Sequence, residues 1–233
     1  MEQLKRNIYF DNMKRIVVSL TTWKGRIDTL PLVLESIVNQ TLKPWKIVVN
    51  LSKQEFASVK EIPKNIRTYM KKHGIEVNWV KDDTKVYKKI IPTLLKYKND
   101  LILSIDDDFI YPKNMIVDFY RKYMEYPNNP ISGNRVNKFG MDCHCGCSSL
   151  VQYKFYNIFI EDYTRYYENC KSSDIVYTYI ANVNGYSYIR TDGIYFNNME
   201  NIPSQTAYSL NNGKYSNQIV EDAYEWMKKN IFE

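Results

Sequence analysis

Apolar and polar positions along the first half of the chain switch between two periods. Runs of β-branched residues bounded by polar ones give way to segments whose apolar residues recur three and four places apart. That succession predicts strand, helix, strand, helix. Arg15 to Thr22 reads as a first strand, with Trp23-Lys24-Gly25-Arg26 as the loop at its carboxyl end. Leu30, Val33, Leu34, Ile37 and Val38 then share one helical face, with Asp28 or Thr29 as cap and Pro31 in the first turn. Pro44 ends that helix, and Trp45 to Leu51 is a second strand. Ser52 is expected to cap a short helix to about Val59, and Pro63 to start another that reaches His73 and closes at Gly74. Ile75 to Val80 alternates as a third strand, and Asp82-Asp83-Thr84 forms the loop beyond it. A helix over 85–97 is predicted to turn Val86, Ile90, Leu94 and Leu95 inward, with Pro92 as a kink. Leu101, Ile102, Leu103 and Ile105 make a fourth strand, apolar enough to be covered on both faces.

The pattern is less regular beyond that strand. A helix is expected over 113–126, broken by Tyr126-Pro127-Asn128-Asn129-Pro130. Strands are predicted at 131–136, 147–153 and 186–190, and helices at 155–168, 173–184 and 217–230, with an irregular polar stretch before the last. No internal repeat, low-complexity linker or domain boundary is visible. The expectation is one α/β domain over 1–233, doubly wound in its first half with right-handed crossovers.

The fourth strand ends in Asp106-Asp107-Asp108. In open α/β sheets, ligands bind outside the carboxyl ends of the strands. Three acids there place dense negative charge in the expected crevice, and a hard divalent cation such as Mg²⁺ or Mn²⁺ suits carboxylate oxygens. A solvated acidic loop is the plainer alternative, but these acids abut an apolar run. Composition narrows the partners. The 233 residues carry a net charge of +6 and are 44% hydrophobic, enough for a sizeable core and mildly favourable to phosphate-bearing partners. The cations form no block and the aromatics no RNA-recognition signature, so nucleic acid is not an expected partner. No stretch approaches the roughly 18 apolar residues of a membrane span, and residues 1–14 do not read as a signal peptide. The four cysteines, three of them within 143–147, do not form a secreted disulfide framework, and the expected location is cytoplasmic.

Several segments together resemble the GT-A-fold glycosyltransferases of bacteria, near the family 2 type. They are Val17-Val18-Ser19-Leu20-Thr21-Thr22, Gly25-Arg26-Ile27, Ser36-Ile37-Val38-Asn39-Gln40-Thr41, Lys88-Lys89, the strand-borne acidic triplet, and Ser173-Asp174-Ile175 opening a helix. The resemblance covers about residues 15–225 and is strongest before 115. It implies a single GT-A domain with a mixed, mostly parallel sheet, in which residues 15–112 bind a nucleoside-diphosphate sugar and 113–233 the acceptor. It implies Mn²⁺ or Mg²⁺ held by Asp106 and Asp108, with Asp106 and Asp107 also on the donor. Thr21 and Arg26 would face the nucleotide, Asp83 (or Asp82) the base, and Lys88, ahead of Lys89, the diphosphate. Asp174 would be the general base of an inverting transfer. The family's acidic pair is here a single acid, although a helix N-terminus favours its ionised form.

A UDP-sugar is the favoured donor, and the acceptor is a glycan or lipid-linked saccharide of a capsule or lipopolysaccharide pathway. Peripheral contact with the inner face of the plasma membrane is open to its basic and aromatic surface residues, although no amphipathic anchor stands out. Two other readings stay open. One is a haloacid-dehalogenase-type Mg²⁺ phosphatase, which also uses Asp-x-Asp after a strand, although usually on the first strand. The other is a non-catalytic nucleotide-sugar-binding module. Cys143-His144-Cys145-Gly146-Cys147 is too crowded for good tetrahedral zinc geometry, and tight packing is its expected role, with His144 a lesser candidate for substrate contact.

Overall fold

A computed structural model describes residues 14–133, 142–144, 147–160, 163–191, 198–202 and 214–231. Strands β1 (Ile16–Thr21), β2 (Lys46–Ser52), β3 (Glu76–Val80) and β4 (Leu101–Ile105) pair in parallel. The chain then adds β6 (Ile131–Ser132), β7 (Ser148–Val151) and β8 (Ile189–Arg190), giving one seven-stranded sheet in the order β3-β2-β1-β4-β7-β6-β8. β7 runs antiparallel to β4 and β6, so the sheet is mixed but mostly parallel. A separate two-stranded ribbon joins β5 (Phe109–Ile110) to β9 (Glu200–Asn201).

Side-chain alternation sorts the core into two layers. Val18, Leu20, Val49, Leu51, Leu103 and Ile105 face helices α1 (Leu30–Val38), α2 (Lys64–Lys72) and α4 (Met115–Glu125), where Leu34, Ile37, Ile66, Met115 and Phe119 complete one cluster. Val17, Val48, Ile102 and Val151 face the other way. There they meet Tyr87, α3 (Ile91–Lys96) and α7 (Ser173–Val183). Every residue of β4 is buried, as a continuous apolar run between two helical layers requires.

The chain steps outward from β1 to β2 to β3 and then returns to place β4 on the other side of β1. The order therefore reverses between β1 and β4, and crevices at such reversals are where open α/β sheets hold ligands. The loop carrying Arg26 leaves β1 there, and the acidic triplet leaves β4 beside it.

Several expected elements differ. The predicted helix over 85–97 is a 3₁₀ turn at Lys85–Lys89 followed by α3, and Pro92 sits in the first turn of α3 rather than at a kink. Leu95 is 42% exposed, not inward. The segment after Ser52 forms turns and a 3₁₀ turn at Val59–Glu61 instead of an α-helix. The helix expected over 155–168 is split into a 3₁₀ turn at Tyr153–Phe155, α5 (Asn157–Ile160) and α6 (Tyr163–Asn169). The strand expected to 136 is two residues long, and 134–136 lie outside the described residues. The strand expected from 186 is confined to Ile189–Arg190. The last helix, α8, spans Lys214–Ile231. Among the described residues, no helix is long and apolar enough to cross a membrane.

Candidate active site

The crevice between the ends of β1 and β4 is built on ion pairs. Arg26 Nη1 lies 2.8 Å from Asp107 Oδ1 and 3.0 Å from Asp108 Oδ2, so one guanidinium nitrogen ties two members of the triplet. The loop that presents it needs Gly25: the Trp23 indole packs so close that a Cβ on Gly25 would lie 2.3 Å from the ring. Burial works against the Arg26 charge, but Asp107, Asp108 and Asp106 outweigh it and raise its pKa. Asp106 is held from the opposite side, where Lys89 Nζ donates to Oδ1 at 2.5 Å. Lys89 is buried, and burial again opposes its charge, but Asp106 and then Asp174 raise its pKa. Asp174 is in the first turn of α7, so the expected acid on the acceptor side and the triplet share one buried cation.

Two buried carboxylate oxygens of the triplet, Asp107 Oδ2 and Asp108 Oδ1, have no hydrogen-bond partner among the described residues. Burial, reinforced by Asp106, pushes the Asp108 carboxyl up to about 6, with Arg26 and Lys89 acting in the other direction. Orphaned carboxylate oxygens in so negative a pocket fit a divalent cation. Among the described residues no group of three or more His, Cys, Asp or Glu is arranged to hold a metal. This does not conflict with Mg²⁺-type chemistry, in which one or two carboxylates combine with waters and substrate phosphates rather than an all-protein cage. Of the two acids expected to hold it, Asp106 and Asp108, Asp108 carries one of the orphaned oxygens.

The remaining expected residues group elsewhere along the same edge. Lys88 is buried and pairs with Asp83, with Glu55 Oε2 3.7 Å away. Asp83 also binds Lys85, and these two lysines outweigh burial to hold its carboxyl below the usual range. Lys88 and Asp83 are thus brought to each other. Thr21 Oγ1 donates to the Asn50 carbonyl at 2.8 Å. Asn50 in turn donates to Ser19 Oγ and Thr93 Oγ1 at 3.1 and 3.0 Å and accepts from Asn78 at 2.8 Å. This polar network underlies the crevice, and the Ser19 hydroxyl anchors the Lys89 carbonyl at 2.6 Å.

The motif at 36–41 has a physical role. Gln40 is fully buried; its amide donates to the carbonyls of Ser36 and Pro112 at 3.0 and 2.8 Å, and its oxygen accepts from Ile116 N–H at 3.1 Å. Thr41 N–H donates to Lys113 at 2.8 Å. The end of α1 thereby fixes the chain as it leaves the triplet. Ile202 N–H donates to the Asp108 carbonyl at 2.8 Å, so a segment far along the chain closes over the same turn. Sequence reasoning ranked Lys89 behind Lys88 and did not single out Gln40 or Ile202. Only Gln40 had a local signal, as a buried polar residue at the end of an apolar helix face.

Of the cysteine-rich segment, Cys143, His144 and Cys147 are buried, and His144 Nδ1 lies 2.9 Å from the Tyr188 hydroxyl. Cys145 and Gly146 lie outside the described residues.

No protein-family model matches the chain, and no curated protein matches it in sequence. Solved structures do. The mannosyltransferase PcManGT of Pyrobaculum calidifontis, in complex with GDP-Man and Mn²⁺, superposes with a TM-score of 0.60 at 12% identity, covering 84% of this chain and 58% of that one. S. aureus TarS 1-349 in complex with UDP gives 0.55 at 12% identity over 92% of this chain and 72% of that one. TarS 1-349 with UDP-GlcNAc gives 0.53 at 14% identity over 94% and 73%. The chain thus spans little more than half of the mannosyltransferase, and the likeness is one of fold. That fold is the GT-A type: a single α/β domain with a seven-stranded, mostly parallel sheet between helices.

Proposed function

We propose that this chain is a metal-dependent, inverting glycosyltransferase that moves a sugar from a nucleoside-diphosphate sugar, favoured as a UDP-sugar, to a glycan or lipid-linked acceptor in cell-surface polysaccharide synthesis. The observation that carries the reading is the triplet itself. Asp106 to Asp108 leave β4 at the reversal of strand order, braced by Arg26 and Lys89, with buried oxygens of Asp107 and Asp108 that lack hydrogen bonds among the described residues. The structural neighbours that bind GDP-Man with Mn²⁺, UDP and UDP-GlcNAc support the donor class.

Residues 15–112 form the donor half and 113–233 the acceptor half. Asp106 and Asp108 hold Mn²⁺ or Mg²⁺, which when bound neutralises the charge that grows on the departing diphosphate. Arg26 pairs with Asp107 and Asp108 and adds positive charge where phosphate oxygens arrive. Lys89 pairs with Asp106 from the other side. Lys88, Asp83 and Thr21 line the nucleotide side. Asp174 takes the proton of the acceptor hydroxyl as that oxygen bonds to the anomeric carbon; the bond to the diphosphate breaks on the opposite face, its electron pair leaving with the diphosphate. The work takes place in the cytoplasm, with peripheral contact at the inner face of the membrane.

The test is a thermal-shift screen with UDP and GDP, with and without Mn²⁺, followed by transfer assays. A Mn²⁺-dependent shift with one nucleotide, and loss of transfer in Asp106→Ala and Asp108→Ala with the fold intact, is the expected result. Full activity in either variant removes the metal role. Release of phosphate from a chromogenic ester, without sugar transfer, would instead favour the phosphatase.

A further inference from the structure

The ladder between β4 and β7 ends at the pair Ile105 and Ser148, one step short of Asp106 and Cys147. The link at that step runs through a side chain. Asp106 N–H donates to the Tyr111 phenol oxygen at 2.9 Å, and the phenol donates to the Cys147 carbonyl at 2.7 Å. The Asp106 carbonyl is 3.2 Å from the same oxygen. Tyr111 is only 3% exposed, and its own N–H donates to Ser36 Oγ at 3.1 Å, so the ring is fixed at both ends. The chain has made a tight return: the residue five places after Asp106 comes back to hold the main chain of Asp106.

We propose that Tyr111 is a positioning residue for the metal site. Its phenol, seated where the next rung of the ladder would fall, sets the main chain of Asp106 and hence the direction in which Asp106 and Asp108 offer their carboxylates to a cation on a nucleoside diphosphate. The inference rests on the metal-dependent reading above. Without the hydroxyl, Asp106 N–H loses this acceptor and must find another. The simplest relief draws it towards the Cys147 carbonyl and carries the Asp106 carboxylate with it. Ligand constellations tolerate only about 0.5 Å of such movement. A phenylalanine keeps the ring and its packing and removes only this link.

The experiment compares wild type, Tyr111→Phe and Tyr156→Phe, the last a control that loses a buried phenol bonded to Tyr188 in the other core layer. Each is titrated with Mn²⁺ at fixed UDP or GDP and followed by thermal shift, and nucleotide binding is also measured without metal. Partners that orient metal ligands are worth about 10- to 100-fold in metal affinity. Tyr111→Phe is therefore expected to need at least about tenfold more Mn²⁺ for half-saturation, with metal-free nucleotide binding unchanged. Tyr156→Phe should keep the wild-type Mn²⁺ requirement even where its melting temperature falls as far. A wild-type Mn²⁺ requirement in Tyr111→Phe overturns the role of Tyr111 and leaves the metal reading standing. No Mn²⁺ response in the wild type overturns the metal reading, and the role of Tyr111 with it.

Discussion

Lys89 Nζ donates to Asp106 Oδ1 at 2.5 Å, yet the lysine side chain is 5% exposed and the aspartate 32%. The pair therefore spans the boundary between core and crevice. Removing a partner from a fully buried pair costs about 3–5 kcal/mol. Water reaches Asp106, so Lys89→Met is expected to cost less, roughly 1–3 kcal/mol. The loss should fall on function too, because Asp106 then loses its counterion beside Asp107 and Asp108. Urea denaturation with and without Mn²⁺ and nucleotide checks this. Lys89→Met should recover more stability from the added ligands than wild type does, and equal recovery in both proteins would detach Lys89 from the site.

Arg26 makes a different kind of contact, one nitrogen shared by two carboxylates. A lysine keeps the charge but not the planar fork. Arg26→Lys should lose a charge-assisted hydrogen bond worth about 1.5–3 kcal/mol, which is roughly a 10- to 100-fold fall in kcat/KM for the donor. Initial rates across donor concentrations measure it. A kcat/KM within about twofold of wild type would mean that Arg26 braces the loop and does not serve the donor.

Much of the first half of the chain was legible because its elements are local. The four parallel strands, the switch of period after each and the acids ending β4 can be read from consecutive residues, and the sheet places them as the pattern implies. What could not be read is non-local. The pairing of Phe109 and Ile110 with Asn201 and Glu200 joins segments that carry no matching pattern. Lys88 and Lys89 look like exposed helical lysines, but the 3₁₀ turn at Lys85–Lys89 packs both inward against acids from other loops. The aromatic stretch after Val151 offers apolar residues at almost every position, so helical periodicity does not reveal where the chain breaks it.

Asp174 opens α7 with the Thr178 hydroxyl donating to its carbonyl at 2.7 Å, which sets the first turn from within. As general base it should matter to the proton and not to the donor. Asp174→Asn keeps shape and removes basicity, so turnover should fall about 10²- to 10⁴-fold with the nucleotide-dependent thermal shift unchanged. Single-turnover transfer at saturating donor is the measurement. Unchanged turnover would leave Asp174 as a first-turn acid of α7 with no part in the chemistry.

Glu76, at the start of β3, gives a pH test that lies outside the site. Burial works against its charge, but Lys96 Nζ and Tyr97 OH each donate to it at 2.7 Å and hold the carboxyl below its ordinary 4.5. The folded form therefore releases this proton more readily than the unfolded one. Its contribution is complete above 4.5 and is lost as pH falls through the lower folded value. Asp108 acts in the opposite sense: its raised value favours the fold below 3.8, and that contribution is lost as pH rises through about 6. Comparing wild type with Glu76→Gln at each pH cancels the Asp108 contribution. The stability gap between the two should be about 1 kcal/mol or less near neutrality, as befits a partly exposed pair, and should shrink towards zero as pH falls from 4.5 through the lower folded value. Chemical denaturation at neutral, mildly acidic and strongly acidic pH reads the gap directly, and a gap that stays constant across the series would show that the Lys96 and Tyr97 contacts do not favour the ionised carboxylate.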